Sequence, residues 1–395
     1  MGASISYIMA FFTAKTRSRA VDSGWDKLDL QKAMVECAYV TLINIYIVQT
    51  SVLSSMIRFG IAGIPLTSKG RTFIESVEDV HILGLNALEV QLLRVNVEER
   101  PALDYAGMNP RDIDSTIIVD VLREDESGTY SGVGIDTTIE EDDIVQELFW
   151  NMARSYDDLK DGGELAKELD VRLSVHAPYY MELLNQGDMG ERSYNHLKWA
   201  LIIGKAIKAG RVITHTGFYA EPKKDSVKIA SKIYSDISQN FSNESGYPTI
   251  GVETSGKPEI FGSVSDVISL AKKTKSIEPI LNFPHVHSLN GGSLIEVKDF
   301  DAIISEFQKF AKGDLYTEFA GVDYTDHTEK KLMAIKHGDL KFETLSESLS
   351  TLDDDVTVIS SSPLLEHDSQ YMNLMYLRSV SKRFQKKTQI KKAVS

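Results

Sequence analysis

From Arg58 onward the chain alternates between two rhythms of apolar residues. Short runs in which nearly every residue is apolar or small predict strands buried on both faces. Longer stretches with apolar residues three and four apart predict helices that pack by one face. RFGIAGI (58–64) is the first strand, SVEDVHILGL (76–85) the first helix, and ALEVQLL (87–93) the second strand. ELFWNMARSYDDLKDGGELAKELD (147–170) is expected to be mostly helical. VRLSVHA (171–177), RVITHTG (211–217), TIGVETS (249–255) and EPILNFPHVH (278–287) read as strands. NHLKWALIIGKAIKAG (195–210), SVKIASKIYSDISQNF (226–241), SVSDVISLAKKT (263–274) and DFDAIISEFQKFA (299–311) read as the intervening helices. LYTEFAGV (315–322), a polar loop, a helix near 342–352 and VTVISSSP (356–363) close the series. Strand–helix units in this number predict an α/β fold, a TIM (β/α)8 barrel over 56–380 with its helices outside.

Three segments depart from the rhythm. Residues 98–143 are polar and acidic and read as an insertion, with a hairpin from STIIVDVLRE (115–124) to GVGIDTTIEE (132–141). A partner-binding flap and a passive surface elaboration both suit it. The tail at 381–395, SKRFQKKTQIKKAVS, is basic. It reads as a solvated, frayed helix end, with a weak phosphate contact as the alternative. Residues 1–55 form an N-terminal extension that includes most of CAYVTLINIYIVQTSVLSSMI (37–57), a run without charge. Its length suits a membrane span, but Thr, Asn, Gln and Ser interrupt it. A translation start at Met56, an added apolar segment and a membrane anchor are the three readings.

Composition narrows the chemistry. Apolar residues make up 42% and charged residues 25% of 395, as in ordinary globular proteins. Cys37 is the single cysteine, which excludes an internal disulfide framework and any multi-cysteine metal site. A reducing, cytoplasmic setting follows as the expectation, and metal chemistry falls to His, Asp and Glu. The formal charge of −14 works against tight binding of nucleic acid by overall charge. It leaves room for a local basic groove or for metal ions that take the phosphate.

The polar residues at the strand ends are the candidate chemistry. His176, His215, Glu253, the pair His285 and His287, and Glu318 each stand at or near the C-terminal end of an expected strand. In a parallel barrel those ends converge on one face, where active sites are built. Two neutral imidazoles and a carboxylate suit a borderline ion such as zinc. A single such His is as often a satisfied core histidine, but several buried together without partners would be costly. Glu89 could line the same pocket or pair with a nearby cation such as Arg94. His81, His196, His327, His337 and His367 read as surface, capping or loop residues.

At these residues the chain resembles the endonuclease IV family, in particular its archaeal branch. The resembling text covers nearly all of 58–377: FGIAGIPLTSKGRT, GLNALEVQ, LSVHAPYY, HTGFY, VETSGK, NFPHVHS and SSSPLLEHD, in order. The resemblance implies a TIM barrel that cleaves DNA 5′ to abasic sites with three zinc ions at its mouth. His176, His215 and Glu253 match the first zinc set, with Glu253 the bridging residue. In the second set the Asp, His and Glu positions hold Asn282, Glu318 and Ser361. In the third, His285 matches, but Leu332, in EKKLMAIK, stands where a His is needed and the Asp has no match. The resemblance therefore implies one whole zinc site, a second that Glu318 could still support, and loss of the third.

Three functions are expected in turn. The first is a zinc-dependent phosphodiesterase acting on DNA, with Glu253 and Glu318 in catalytic roles and His176, His215, Glu253, His285 and Glu318 around the metal. The second is a catalytically inactive relative that binds DNA, a sugar phosphate or a protein. The third is a metal-dependent sugar isomerase or epimerase, which would need carboxylates where Asn282 and Ser361 stand. The family resemblance implies a monomer.

Overall fold

The computed structural model describes residues 56–93, 95–242 and 246–394. Most of the uncharged run at 37–57 lies outside the described residues, as does Arg94. Among the described residues no helix is long and apolar enough to cross a membrane.

The elements in chain order are β1 (Ile57–Ala62), α1 (Phe73–Ile82), β2 (Ala87–Gln91), β3 (Asn96–Pro101), β4 (Ile117–Glu124), β5 (Tyr130–Gly132), β6 (Ile144–Phe149), α2 (Tyr156–Glu168) and β7 (Arg172–His176). They continue with α3 (Asp188–Ala206), β8 (Arg211–Thr214), α4 (Ser226–Ser242), β9 (Thr249–Glu253), α5 (Val264–Lys273), β10 (Ile277–Asn282), α6 (Phe283–Leu289) and α7 (Val297–Gln308). β11 (Leu315–Phe319), β12 (Gly321–Thr325), β13 (Thr328–Met333), α8 (Phe342–Leu349), β14 (Val356–Ser360) and α9 (Glu366–Val394) complete them. β1, β14, β11, β10, β9, β8, β7 and β2 close, in that order, into a parallel barrel. The chain is thus the expected α/β TIM barrel.

Period-two alternation along these strands builds the interior in layers. Ala87, Ile213, Ile280, Tyr316 and Ile359, with Ala62, form a buried cluster contributed by six strands. Two residues further along each strand come Glu89, His215, Asn282, Glu318 and Ser361. His176 and Glu253 belong to the same upper layer, above Ser174 and Gly251. Parallel register aligns these positions: His176 pairs with Gln91 on one side and Ile213 on the other, and Asn282 with Glu318. An apolar layer thus carries a polar one at the C-terminal mouth.

Four departures from the sequence expectation have local causes. The stretch at 147–170 is helical only from Tyr156 to Glu168, its start being strand and turn. Ile144–Phe149 is a strand paired with both β3 and β4, and α2 starts only after Ser155, whose hydroxyl accepts from the Asp158 N–H. Pairing to two neighbours here overrides a locally helical pattern. The insertion is a four-stranded antiparallel sheet, β3-β6-β4-β5, over its own core of Ala102, Ile113, Ile118, Val121, Ile139 and Val145. The expected hairpin shrinks to β4 against the three-residue β5. Strand β10 stops at Asn282, whose side chain caps α6 by accepting from the His285 N–H, with Pro284 in the first turn. His285 and His287 therefore sit on a short helix rather than a strand end. The polar loop after β11 is the β12–β13 hairpin.

The basic tail continues α9 as far as Val394. His196 lies within α3 rather than at its start, between the rings of Tyr180 and Trp199.

Candidate metal centre

The upper layer brings its polar side chains into one cluster. His176 Nε2 lies 3.0 Å and His215 Nε2 3.2 Å from the same oxygen, Glu253 Oε2. All three residues are largely buried, and Glu253 almost completely. Behind His176, Nδ1 sits 2.6 Å from the Ala177 carbonyl oxygen. A carbonyl only accepts, so Nδ1 carries the proton and Nε2 is the atom presented to Glu253. The other oxygen of Glu253 accepts from Asn282 Nδ2 at 2.7 Å, and the same amide nitrogen donates to Glu318 Oε2 at 3.2 Å. Glu318 Oε1 is buried without a hydrogen bond. In the same layer Glu89 accepts from the Tyr316 hydroxyl at 2.7 Å and from Gln91 at 3.1 Å, and Tyr316, one layer below, meets Ser174.

Burial and mutual charge set the protonation pattern. Burial works against ionisation of Glu253, but His215, His176 and His285 together hold its carboxyl well below the usual range. Burial pulls His176 down, but its hydrogen bond to Glu253 and the charge of Glu89 win and raise it to about 9. Burial takes His215 down to about 4 against the pull of Glu253, with His176 and His285 adding. Burial, then the Glu253 and Glu89 carboxylates, push Glu318 well above the carboxylate range. Ser361 opposes this weakly, its Oγ making no hydrogen bond of normal geometry. At neutral pH the cluster thus sets an ionised Glu253 and a charged His176 beside a neutral His215, with the Glu318 carboxyl shifted toward its protonated form.

The donor atoms of His176, His215 and Glu253 lie within 4.8 Å of one another, as do those of Glu89, His176 and Glu318. The first set, two imidazoles and a carboxylate with a carbonyl holding one ring in place, fits a divalent ion of borderline softness. The second set is crowded with acids that a cation would have to ionise.

All five residues singled out in the sequence come together, His285 from α6 rather than from a strand. Neither His287 nor His327 joins them. His287 is buried against Asp339 and accepts from the Leu294 N–H, and His327 is exposed at the hairpin turn. Leu332 lies in β13 opposite Val322. Two participants were not among them: Asn282, read only as a lost ligand, and Glu329, whose Oε2 lies 3.4 Å from His285 Nε2.

No family model matches the chain. An uncharacterised protein of Methanocaldococcus jannaschii is 25% identical over 228 residues, 55% of this chain and 80% of that one. Among solved structures, endonuclease IV from Thermus thermophilus is similar with a TM-score of 0.52 at 15% identity, over 82% of this chain and 99% of that one. A protein from Rhodospirillum rubrum assigned as a xylose isomerase gives 0.50 at 11%, over 82% and 99%. At such identities the likeness establishes the shared barrel fold, and the chemistry has to be argued from the site.

Proposed function

We propose that the barrel mouth is a metal-dependent hydrolytic centre that cleaves a phosphodiester of DNA at abasic sites, as in the endonuclease IV family that the sequence resembles. The observation that carries this reading is the convergence of His176 and His215 on one oxygen of a buried, ionised Glu253. These three residues would hold zinc, which when bound supplies Lewis-acid polarisation of a phosphoryl oxygen. Glu318 is the general acid. Its proton passes to the departing sugar oxygen while water adds at phosphorus, and a proton from that water replaces it. Asn282 holds Glu318 and Glu253 at fixed spacing. Around the mouth, exposed Tyr179 and Phe218 offer stacking faces after β7 and β8, and exposed Lys69, Arg71 and Lys257 offer phosphate contacts despite the acidic total.

A non-catalytic relative is the second reading, favoured by Asn282 and Ser361 in place of carboxylates. Glu318→Gln separates the two. The glutamine keeps the size and the contact with Asn282 but has no proton to give. Incision of an abasic duplex should fall about 10²–10⁴-fold, the usual worth of a positioned general acid, with zinc content unchanged. Because the active form of Glu318 is protonated and its pKa is raised, the wild-type rate should decline as pH rises through that pKa, and the variant should lack this limb. A rate and pH profile equal to wild type would remove Glu318 from the chemistry.

A further inference from the structure

We propose that a cavity at the N-terminal end of the barrel, opposite the mouth, binds a small phosphate monoester through Lys167, Arg172 and Lys312. The site shares no residue with the metal centre.

Arg172 opens β7, Arg211 opens β8 and Asp314 immediately precedes β11, so these residues meet at the floor of the barrel. The space they line together with the ends of α2 and α3 measures about 340 Å³, within the roughly 300–1,000 Å³ of small-molecule sites. Of the 13 residues around it five are basic, Lys167, Arg172, Lys208, Arg211 and Lys312, and only Asp314 is acidic. That balance runs against a chain with 57 acidic and 43 basic residues.

Pairing the charges leaves two cations over. Arg211 is buried, its Nε donating to Glu278 at 3.0 Å and its Nη2 to Asp314 Oδ1 at 3.1 Å. The same Asp314 oxygen takes Arg172 Nη1 at 2.7 Å. The two guanidiniums thus balance Glu278 and Asp314. Lys208 pairs with Glu164, which feels Lys167 more weakly. The Lys312 ammonium donates to the Lys275 carbonyl at 2.7 Å, a neutral partner. A surplus of two positive charges suits a phosphate monoester, which carries about −1.5 to −2 near pH 7.

Two of these cations are poised for an anion. Burial works against the charged form of Lys312, with Glu278 opposing, and a dianion beside it would stabilise that form. Arg172 gives Asp314 one N–H, and its side chain is 41% exposed. The rest of its fork can take phosphate oxygens in pairs. The helix carbonyls at the ends of α2 and α3, which would repel an anion, are taken by the N–H groups of Asp170, Val171, Lys208 and Ala209. Val171 and Ile207 line the cavity beside the cations, an apolar surface for the carbon part of an ester.

The test is calorimetric titration of the full chain with ribose 5-phosphate, inorganic phosphate and ribose, before and after chelator treatment. One equivalent of ribose 5-phosphate should bind, equally well with and without metal, and ribose should not. Inorganic phosphate should bind more weakly, because it leaves the apolar surface uncovered. In the double variant Lys167→Ala/Lys312→Ala the affinity for ribose 5-phosphate should fall at least tenfold, with the thermal melt retained. Both lysines reach solvent, so the variant removes charge without opening the core. Absence of saturable binding, binding that chelator treatment abolishes, or an unchanged affinity in the double variant would each overturn the site. Inorganic phosphate bound as tightly as the ester would assign the cavity to the free anion and overturn the ester. Failure of the metal centre at the mouth would leave every one of these results as predicted.

Discussion

His176→Ala is expected to abolish tight zinc binding and to lower incision of an abasic duplex by about 10³-fold or more, beyond the loss of a single transition-state donor. His176 has no substitute within the cluster. His215 and Glu253 alone leave two donors, and burial shifts the neighbouring carboxyls of Glu89 and Glu318 upward, against ionisation. The change also removes the cation that faces Glu253 at 3.0 Å. The Glu253 carboxyl should then lose its main hydrogen-bond donor from that side and rise toward the ordinary range. Inductively coupled plasma measurement of zinc per chain and a circular dichroism spectrum, taken together, check that the metal is lost while the barrel persists. Zinc and incision at wild-type levels would mean that the ion lies elsewhere.

The second large effect is a gain. In wild type the two hydrogens of the Asn282 amide go to Glu253 Oε1 and Glu318 Oε2. An uncharged donor thereby occupies the space between two carboxyls that a cation would otherwise bridge. Asn282→Asp replaces the donor with a third carboxyl. Without metal, the buried acids then face one another, and the variant should be less stable than wild type by about 3 kcal/mol, the scale of an uncompensated buried charge. With zinc it should bind one ion more than wild type. At about 100 times the dissociation constant that ion should return about 2.7 kcal/mol. Urea unfolding with and without zinc reads both halves. Equal metal-free stability, or no additional ion, would show that the amide is not standing in for a cation.

Much of this site was legible in the sequence because barrel strands alternate strictly. Once RVITHTG or TIGVETS reads as a strand, His215 and Glu253 must stand two residues beyond a packed interior position, and every strand repeats the relation. What was missed lies off those strands. Asn282 ends β10 by capping α6, so the apolar run through FPHVH looked like more strand than it is. Glu329 lies on the β12–β13 hairpin, whose turn is Asp326–His327, both with positive φ (49° and 61°). Two left-handed residues make a tight hairpin turn, but this pair lacks the glycine that usually signals one. The stretch therefore read as a polar loop, and its one buried carboxylate went unremarked. The strand at 144–149 was missed for a third reason. Its partners in β3 lie far back in the chain, Asn96 against Phe149 and Pro101 against Ile144, farther than local periodicity reaches.

The most direct measurement is incision of a duplex carrying one abasic-site analogue by the full chain, first stripped of metal and then restored with zinc. The account predicts a cut on the 5′ side of the lesion that disappears on stripping and returns with zinc. No incision by the zinc-restored protein, at concentrations above that of the duplex, would contradict it.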